Sequence, residues 1–241
     1  MDIATAILKF AYNQKSPFRK KDAFDFLNSD TNKVSESSFN VTLSRLVTSG
    51  KLIKTGYGIY ESCKTKKDKF IYTTTEEERF LANSIAQKFP FTKFCVWRPA
   101  VLTSFMQHVP SISTILVDVE RIALDSMLSH LQELNLAYQV LLNPSNLECK
   151  RYLTNDMILI IRPLISEAPL ESNDGITVPS LEKILVDAAG DKELFFAQGA
   201  EIYHVFTNAF EQNDINKSRL LRYASRRNRK LLIENILTQV I

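Results

Sequence analysis

Phe39, Leu43, Leu46 and Val47 follow one another at spacings of four, three and one, so they share one face of a helix. Ser35 precedes them and suits an N-cap, because its hydroxyl accepts an orphan backbone N–H of the first turn. Gly50 closes the segment, since glycine tolerates the left-handed conformation that ends helices. Upstream, Ile3, Ile7, Phe10 and Ala11 give a first amphipathic face. Ser16-Pro17 then breaks the chain, and Lys21 to Asn28 gives a second short helix carrying Phe24 and Leu27. Downstream, Lys51-Leu52-Ile53-Lys54 and Gly58-Ile59-Tyr60 flank Thr55-Gly56-Tyr57, which predicts two short strands around a glycine-containing turn. Three short helices and a hairpin within residues 1–62 predict a winged helix-turn-helix.

After the charged run Lys64 to Lys69, which places a boundary near residues 62–72, the rhythm alternates. Helical spacing over Glu76 to Phe89, Ala100 to His108, Ile122 to Leu134 and Ser145 to Leu153 is interleaved with strand-like runs. Those runs are Thr92 to Trp97, Ser113 to Val119, Ala137 to Leu142 and Met157 to Pro163. Such alternation predicts a sheet with helices on its faces. The end differs: Ser180 caps a helix over Leu181 to Ala189, and Glu193 to Phe210 and Ser218 to Gln239 each read as one continuous helix.

Composition adds a division that the pattern does not show. The net charge of +3 conceals thirteen basic against seven acidic residues over 1–69. Over 70–216 the count is ten basic against nineteen acidic, and over 217–241 seven against one. A local basic excess is the electrostatic footprint of a phosphate binder, so it directs attention to the first module. The three cysteines (Cys63, Cys95, Cys149) lie far apart without CxxC or Cys/His ligand spacing, so reduced thiols are expected and neither a zinc site nor a disulfide framework. No signal peptide is read at Met1-Asp2, and the longest apolar runs are too short to span a bilayer, so a cytoplasmic protein is expected.

Motifs for enzyme chemistry are missing from the sequence: there is no GxxxxGK[ST], no GxGxxG and no GxSxG, and His108, His130 and His204 are isolated. No cofactor is indicated. Asp118 and Glu120, in the segment TILVDVE, are one constellation with chemical potential. A carboxylate pair two apart on a strand points to one face and can hold Mg²⁺ for nucleotidyl transfer. Nucleotidyltransferases pair it with an upstream Gly-Ser element, whereas Ser104 here has no glycine beside it. The pair therefore reads as a solvated strand end or a remnant of that fold, with a divergent metal-dependent nucleotidyltransferase as an alternative. At the other end, Arg219, Arg222, Arg226 and Arg229 recur at helical spacing. They form either a basic face that is solvated or paired with the chain's own acidic middle, or a functional surface: a docking site for an acidic protein or a second contact with DNA phosphates.

The 35–60 segment carries the sharper expectation. Opposite its apolar stripe lie Ser37, Val41, Ser44, Arg45 and Thr48, with Ser38 beside them. Small side chains let a helix sink into a major groove, where Arg grips guanine O6 and N7 and Val touches a thymine methyl. Arg19, Lys20, Lys21, Lys51, Lys54 and Tyr57 are placed to hold phosphates, which position a protein without reading sequence. Alternatives to operator binding are pure protein docking and a ligand-sensing repressor.

Beyond that hairpin, three segments stand out: Ile165-Ser166-Glu167-Ala168-Pro169-Leu170, Val178-Pro179-Ser180-Leu181-Glu182-Lys183-Ile184-Leu185-Val186-Asp187, and Arg219-Leu220-Leu221-Arg222-Tyr223-Ala224. Together with the N-terminal GKLIKTGYGIY they resemble the AbiEi antitoxins of type IV toxin–antitoxin systems, over nearly the whole chain. The resemblance implies a repressor that binds inverted repeats at its own promoter. It also implies a second domain that counters a nucleotidyltransferase-like toxin encoded by a neighbouring gene, with no catalytic requirement. The expectation for the whole chain is then an α+β protein. A winged helix-turn-helix over 1–62 is followed by an α/β domain over 72–241, nucleotidyltransferase-like but inactive, with a C-terminal helical cap.

Overall fold

A computed structural model describes residues 3–14, 16–29, 34–62, 69–152 and 157–240. Cys63 and the charged run from Lys64 to Asp68 lie outside the described residues. The chain is a mixed α+β protein that divides into two compact units, Met1–Lys67 and Asp68–Ile241.

In the first unit, α1 (Ile3–Asn13), α2 (Lys20–Leu27) and α3 (Glu36–Thr48) enclose Ile7, Ala11, Ala23, Phe39, Leu43 and Leu46. Phe24 meets Phe39 edge-on at 5.2 Å, which ties α2 to α3. Ser35 caps α3 by accepting the Ser38 N–H at 3.3 Å. At the other end Gly50 adopts φ +72°, while Gly50 N–H donates to Val47 C=O and Lys51 N–H to Leu46 C=O. That is the two-bond Schellman arrangement, and it ends the helix cleanly. The strands β1 (Phe18–Arg19), β2 (Leu52–Gly56) and β3 (Ile59–Ser62) form an antiparallel sheet in the order β1-β3-β2. The two-residue strand β1 had no periodicity to announce it. The hairpin turn falls on Tyr57-Gly58, one residue later than the sequence spacing suggests, because a bulge between Lys54 and Gly56 takes up a residue. Gly58 supplies the left-handed conformation that the turn needs, at φ +68°.

The second unit is built on a four-stranded sheet in the order β4-β5-β7-β6, from β4 (Phe94–Trp97), β5 (Thr114–Val119), β6 (Gln139–Leu142) and β7 (Ile158–Pro163). The strands β5, β7 and β6 run parallel, and β4 is antiparallel at the edge. All six residues of β5 are buried, as expected for a strand covered on both faces. The helices α4 (Glu76–Lys88), α5 (Leu124–Glu133) and α6 (Asn146–Tyr152) alternate with the strands. Thr75 and Glu78 cap α4 reciprocally. The span Ala100 to His108 holds only a 3-10 turn, Pro99–Ser104, in which Thr103 and Ser104 hydroxyls donate to carbonyls three residues back.

A hairpin absent from the sequence reading follows, β8 (Leu170–Asn173) with β9 (Ile176–Pro179). Its turn, Asp174-Gly175, has φ +49° and +78°, the doubly left-handed pair that suits strand twist. Next comes α7 (Leu181–Ala188), started by the Ser180 hydroxyl and buried at every one of its residues. The two long helices expected after it are each broken. Glu193 to Phe210 splits into a 3-10 turn, Lys192–Ala197, and α8 (Glu201–Gln212), with Gly199 at φ +67° between them. Ser218 to Gln239 splits into α9 (Lys217–Arg226) and α10 (Lys230–Val240). There Asn228 takes φ +53° and Arg229 N–H donates to Ala224 C=O, a second Schellman stop with Asn in the role of Gly50.

Trp97 is the single tryptophan and is fully buried in the second unit, so its fluorescence reports that unit alone. Ile184→Ala, on the inner helix α7, is expected to lower the stability read by Trp97 in urea by roughly 2–5 kcal/mol. An unchanged midpoint would mean that α7 is not the spine of this core.

Candidate functional site

The recognition candidates of the first unit lie where a ligand can reach them. Ser37, Ser38, Val41, Ser44, Arg45 and Thr48 are exposed on α3. The Ser35 hydroxyl sits 3.2 Å from the Ser37 hydroxyl and donates to that of Ser38 at 2.9 Å, which ties both serines to the first turn. Asn40 is exposed beside this face, a residue the sequence reading passed over although its spacing from Ser37, Ser44 and Arg45 was visible. On a helical wheel Asn40 and Arg45 stand roughly 140° apart at about 100° per residue. The strip between them is floored by Ser37, Val41, Ser44 and Thr48.

Arg19 occupies the N-cap position of α2 and contributes no capping side chain, while Lys20 and Lys21 open the helix. These three residues, with Glu36, Tyr57 and Ile59, line a cleft of 720 Å³ between the start of α2 and the hairpin tip. Tyr57 is wholly exposed at that tip, Lys51 is exposed just before β2 and Lys54 within it. Of the basic candidates Arg19, Lys20, Lys21, Arg45, Lys51 and Lys54, Lys20 alone reaches a carboxylate among the described residues, Glu36 at 3.8 Å.

In the second unit the structure overturns the strand-pair reading of Asp118 and Glu120. Strand β5 ends at Val119, so Glu120 lies beyond it and its N–H donates to Lys93 C=O. Asp118 is buried, and both of its oxygens are occupied. Arg162, its partner across the parallel pair β5–β7, donates from Nε to one oxygen. Lys183 Nζ at 2.6 Å and Trp97 Nε1 at 3.0 Å take the other. The chain's own cations stand where a metal ion would be. No group of three or more metal-ligating side chains occurs among the described residues.

This centre extends outward. Lys183 also donates to Asp187 at 2.7 Å, one turn along α7, and Asp187 accepts from Tyr223 of α9 at 3.0 Å and from Arg162 at 2.9 Å. Arg162 reaches Asp191 at 2.7 Å and Glu193 at 3.5 Å. Arg227 pairs with Asp191, and Arg229 lies 2.7 Å from the same carboxylate. Burial alone pushes the Asp118 and Asp187 carboxyls up, but the adjacent cations, Arg162 and Lys183, prevail and hold both below the usual carboxylate range. At Glu193 burial outweighs the pull of Arg162, and its carboxyl is pushed up. Arg162, Asp191, Glu193, Arg227 and Arg229 then face a cleft of 320 Å³ just past the carboxyl ends of β6 and β7.

The C-terminal arginines do not form one rigid stripe. Arg229 falls beyond the stop at Asn228 and is spent on Asp191 and on the Gly190 and Val186 carbonyls. Arg219 lies 3.3 Å from Glu171 and donates to Leu170 C=O, and Arg226 pairs with Glu167. Arg222 is exposed. Pairing with the acidic middle, the first of the two readings open for these residues, is what Arg219, Arg226 and Arg229 do.

A two-unit α+β protein with a basic three-helix module and a buried charge centre is the class these features define. Residues 38–241 match the family described as "Family of unknown function (DUF6577)", and the chain belongs to that family. No curated protein matches it. Among solved structures, the crystal structure of the RV2827C protein from Mycobacterium tuberculosis is similar at 12% identity over 92% of this chain and 71% of that one. The TM-score of 0.32 is too low to assign a shared fold.

Removing one member of a buried charge set leaves its partners uncompensated. Lys183→Met is therefore expected to destabilise the second unit by roughly 3–5 kcal/mol. The same centre sets an acid limit. Because Asp118 and Asp187 are held below their ordinary value of 3.8, their stabilisation is whole above that pH and is lost as pH falls through the folded-state values. Lys183→Met is expected to move this acid loss to higher pH, read by Trp97 fluorescence in urea. A superimposable pH profile for the variant would exclude Lys183 as the counter-ion.

Proposed function

We propose that this protein is a DNA-binding transcriptional autorepressor, with α3 as a recognition helix and the β2–β3 hairpin as a wing. One observation carries the reading: an outward helix face made of small uncharged side chains, bordered by Arg45 and Asn40 and flanked by basic groups of which, among the described residues, Lys20 alone has a carboxylate partner. Such a face approaches a groove closely, while Arg and Asn are the side chains that make paired hydrogen bonds to guanine and adenine. Arg19, Lys20, Lys21, Lys51, Lys54 and Tyr57 then hold the backbone.

The second half of the proposal is that the protein is the antitoxin of a toxin–antitoxin pair. Its support is the AbiEi resemblance of Ile165 to Leu170, Val178 to Asp187 and Arg219 to Ala224. In this reading the second unit is nucleotidyltransferase-like without being catalytic, and the occupation of Asp118 by Arg162, Lys183 and Trp97 favours it over a metal-dependent transferase.

The test is binding of the purified protein to its own upstream DNA against a shuffled control at fixed physiological salt, since phosphate contacts alone give tight binding in dilute buffer. Specific retention is expected. Arg45→Ala and Asn40→Ala are each expected to cost roughly 1–3 kcal/mol and relax preference at one base position. Lys54→Ala is expected to weaken all sequences alike and reduce the salt slope by about one. No preference over the shuffled DNA would overturn the operator reading. Growth rescue on co-expression with the product of the neighbouring gene tests the antitoxin half separately.

A further inference from the structure

We propose that the cleft beyond the carboxyl ends of β6 and β7 binds a small dianionic oxyanion of the phosphate class, a site distinct from the DNA-facing helix. Its position is the first reason. In open sheets with parallel strands, ligands settle in the crevice outside the carboxyl ends, where connections leave in opposite directions. Here β7 is inserted between β5 and β6, and it delivers Arg162 and Pro163 to that crevice while Asn143 and Asn146 follow β6. The volume of 320 Å³ sits at the small end of the range for ligand sites.

Charge is the second reason. The walls carry Arg162, Lys192, Arg227 and Arg229 against Asp191 and Glu193. Asp191 lies under three guanidinium groups at once, those of Arg162, Arg227 and Arg229. On the lining itself four cations face two carboxylates; beneath it Lys183 is balanced by Asp118 and Asp187, and Glu148 stands near Lys192 outside the lining. Burial pushes the Glu193 carboxyl up, against the lowering pull of Arg162.

Preorganisation is the third. Arg229 is pinned by the Val186 and Gly190 carbonyls, and it can lie there only because residue 190 is glycine: a Cβ would stand 2.8 Å from its Nε. Asn143 is held at φ +43° with its side-chain oxygen 3.4 Å from Lys192 Nζ. Donors fixed in advance spare an incoming anion the entropy of ordering long side chains.

The experiment titrates the full-length protein with inorganic phosphate, following ³¹P NMR line width and Trp97-reported thermal stability, against chloride at matched ionic strength. Adenosine monophosphate is a second arm, separating a nucleotide-borne phosphate from a free one. Saturable millimolar-or-tighter binding is expected. Lys192→Ala, whose side chain is part-exposed and lies 3.4 Å from Asn143 and 4.0 Å from Glu193, is expected to weaken it roughly tenfold without changing stability in chloride. Lys54→Ala, in the first unit, is expected to leave it unchanged. Absence of saturable binding, or binding that survives Lys192→Ala and falls with Lys54→Ala, would overturn the proposal while leaving the operator reading untouched.

Discussion

A carboxylate in the middle of a buried sheet has to be neutralised, and Asp118 sets that requirement for the second unit. Its two cations come from far along the chain: Arg162 is 44 residues away and Lys183 is 65. Neither can arrive unless β7 has paired beside β5 and α7 has settled over the sheet. Each ion costs several kcal/mol to dehydrate, so attraction offsets that cost only in the right geometry. A one-residue slip of β7 would send Arg162 to the opposite face and leave Asp118 bare. The centre therefore selects a register more than it adds to net stability. Trp97 completes it, donating to Asp118 while its ring lies 5.0 Å from Lys183 Nζ and 5.6 Å from the Arg162 guanidinium.

What the sequence made legible follows from range. Helices with apolar residues at steps of three and four, such as α1, α3, α4 and α5, and the buried strands β5 and β7 were readable because their pattern is local. Features that depend on single residues were harder. The Asp174-Gly175 turn and the Asn228 stop both have local signatures, but each was outweighed by apolar rhythm continuing past it. Strand β1 has two residues, too few for any period. The charge centre was the least legible part. Asp118 was visible as a carboxylate at a strand end, yet nothing near it in sequence names Arg162 or Lys183 as its counter-ions, and so it read as a solvated strand end or a remnant of a metal-binding fold.

The segments that carry the AbiEi resemblance now have physical roles. Val178 to Asp187 supplies the end of β9, the Ser180 cap and the wholly buried helix α7 with Lys183 and Asp187. Arg219 to Ala224 supplies the α9 face that places Tyr223 on Asp187. Most of these residues are buried, so their roles are structural, while Arg222 stays exposed. The outer face of α3, where base reading would occur, shares none of them, and the operator reading therefore rests on its own observations.

The two basic ends of the chain illustrate why net charge needs a structure to be interpreted. Each contributes an excess of six positive charges. Among the described residues of the first unit, Arg19, Lys21, Arg45, Lys51 and Lys54 have no carboxylate partner and stand around a helix face of small residues, an arrangement whose unspent field is available to an external polyanion. At the C-terminus Arg219, Arg226, Arg227 and Arg229 are spent on Glu171, Glu167, Asp187 and Asp191, so the same formal charge balances the acidic middle of the chain. One excess is a surface property and the other a folding property. Asp191 marks where they differ most, because three arginines converge on it at the rim of a cleft, leaving that corner of an otherwise balanced core positive.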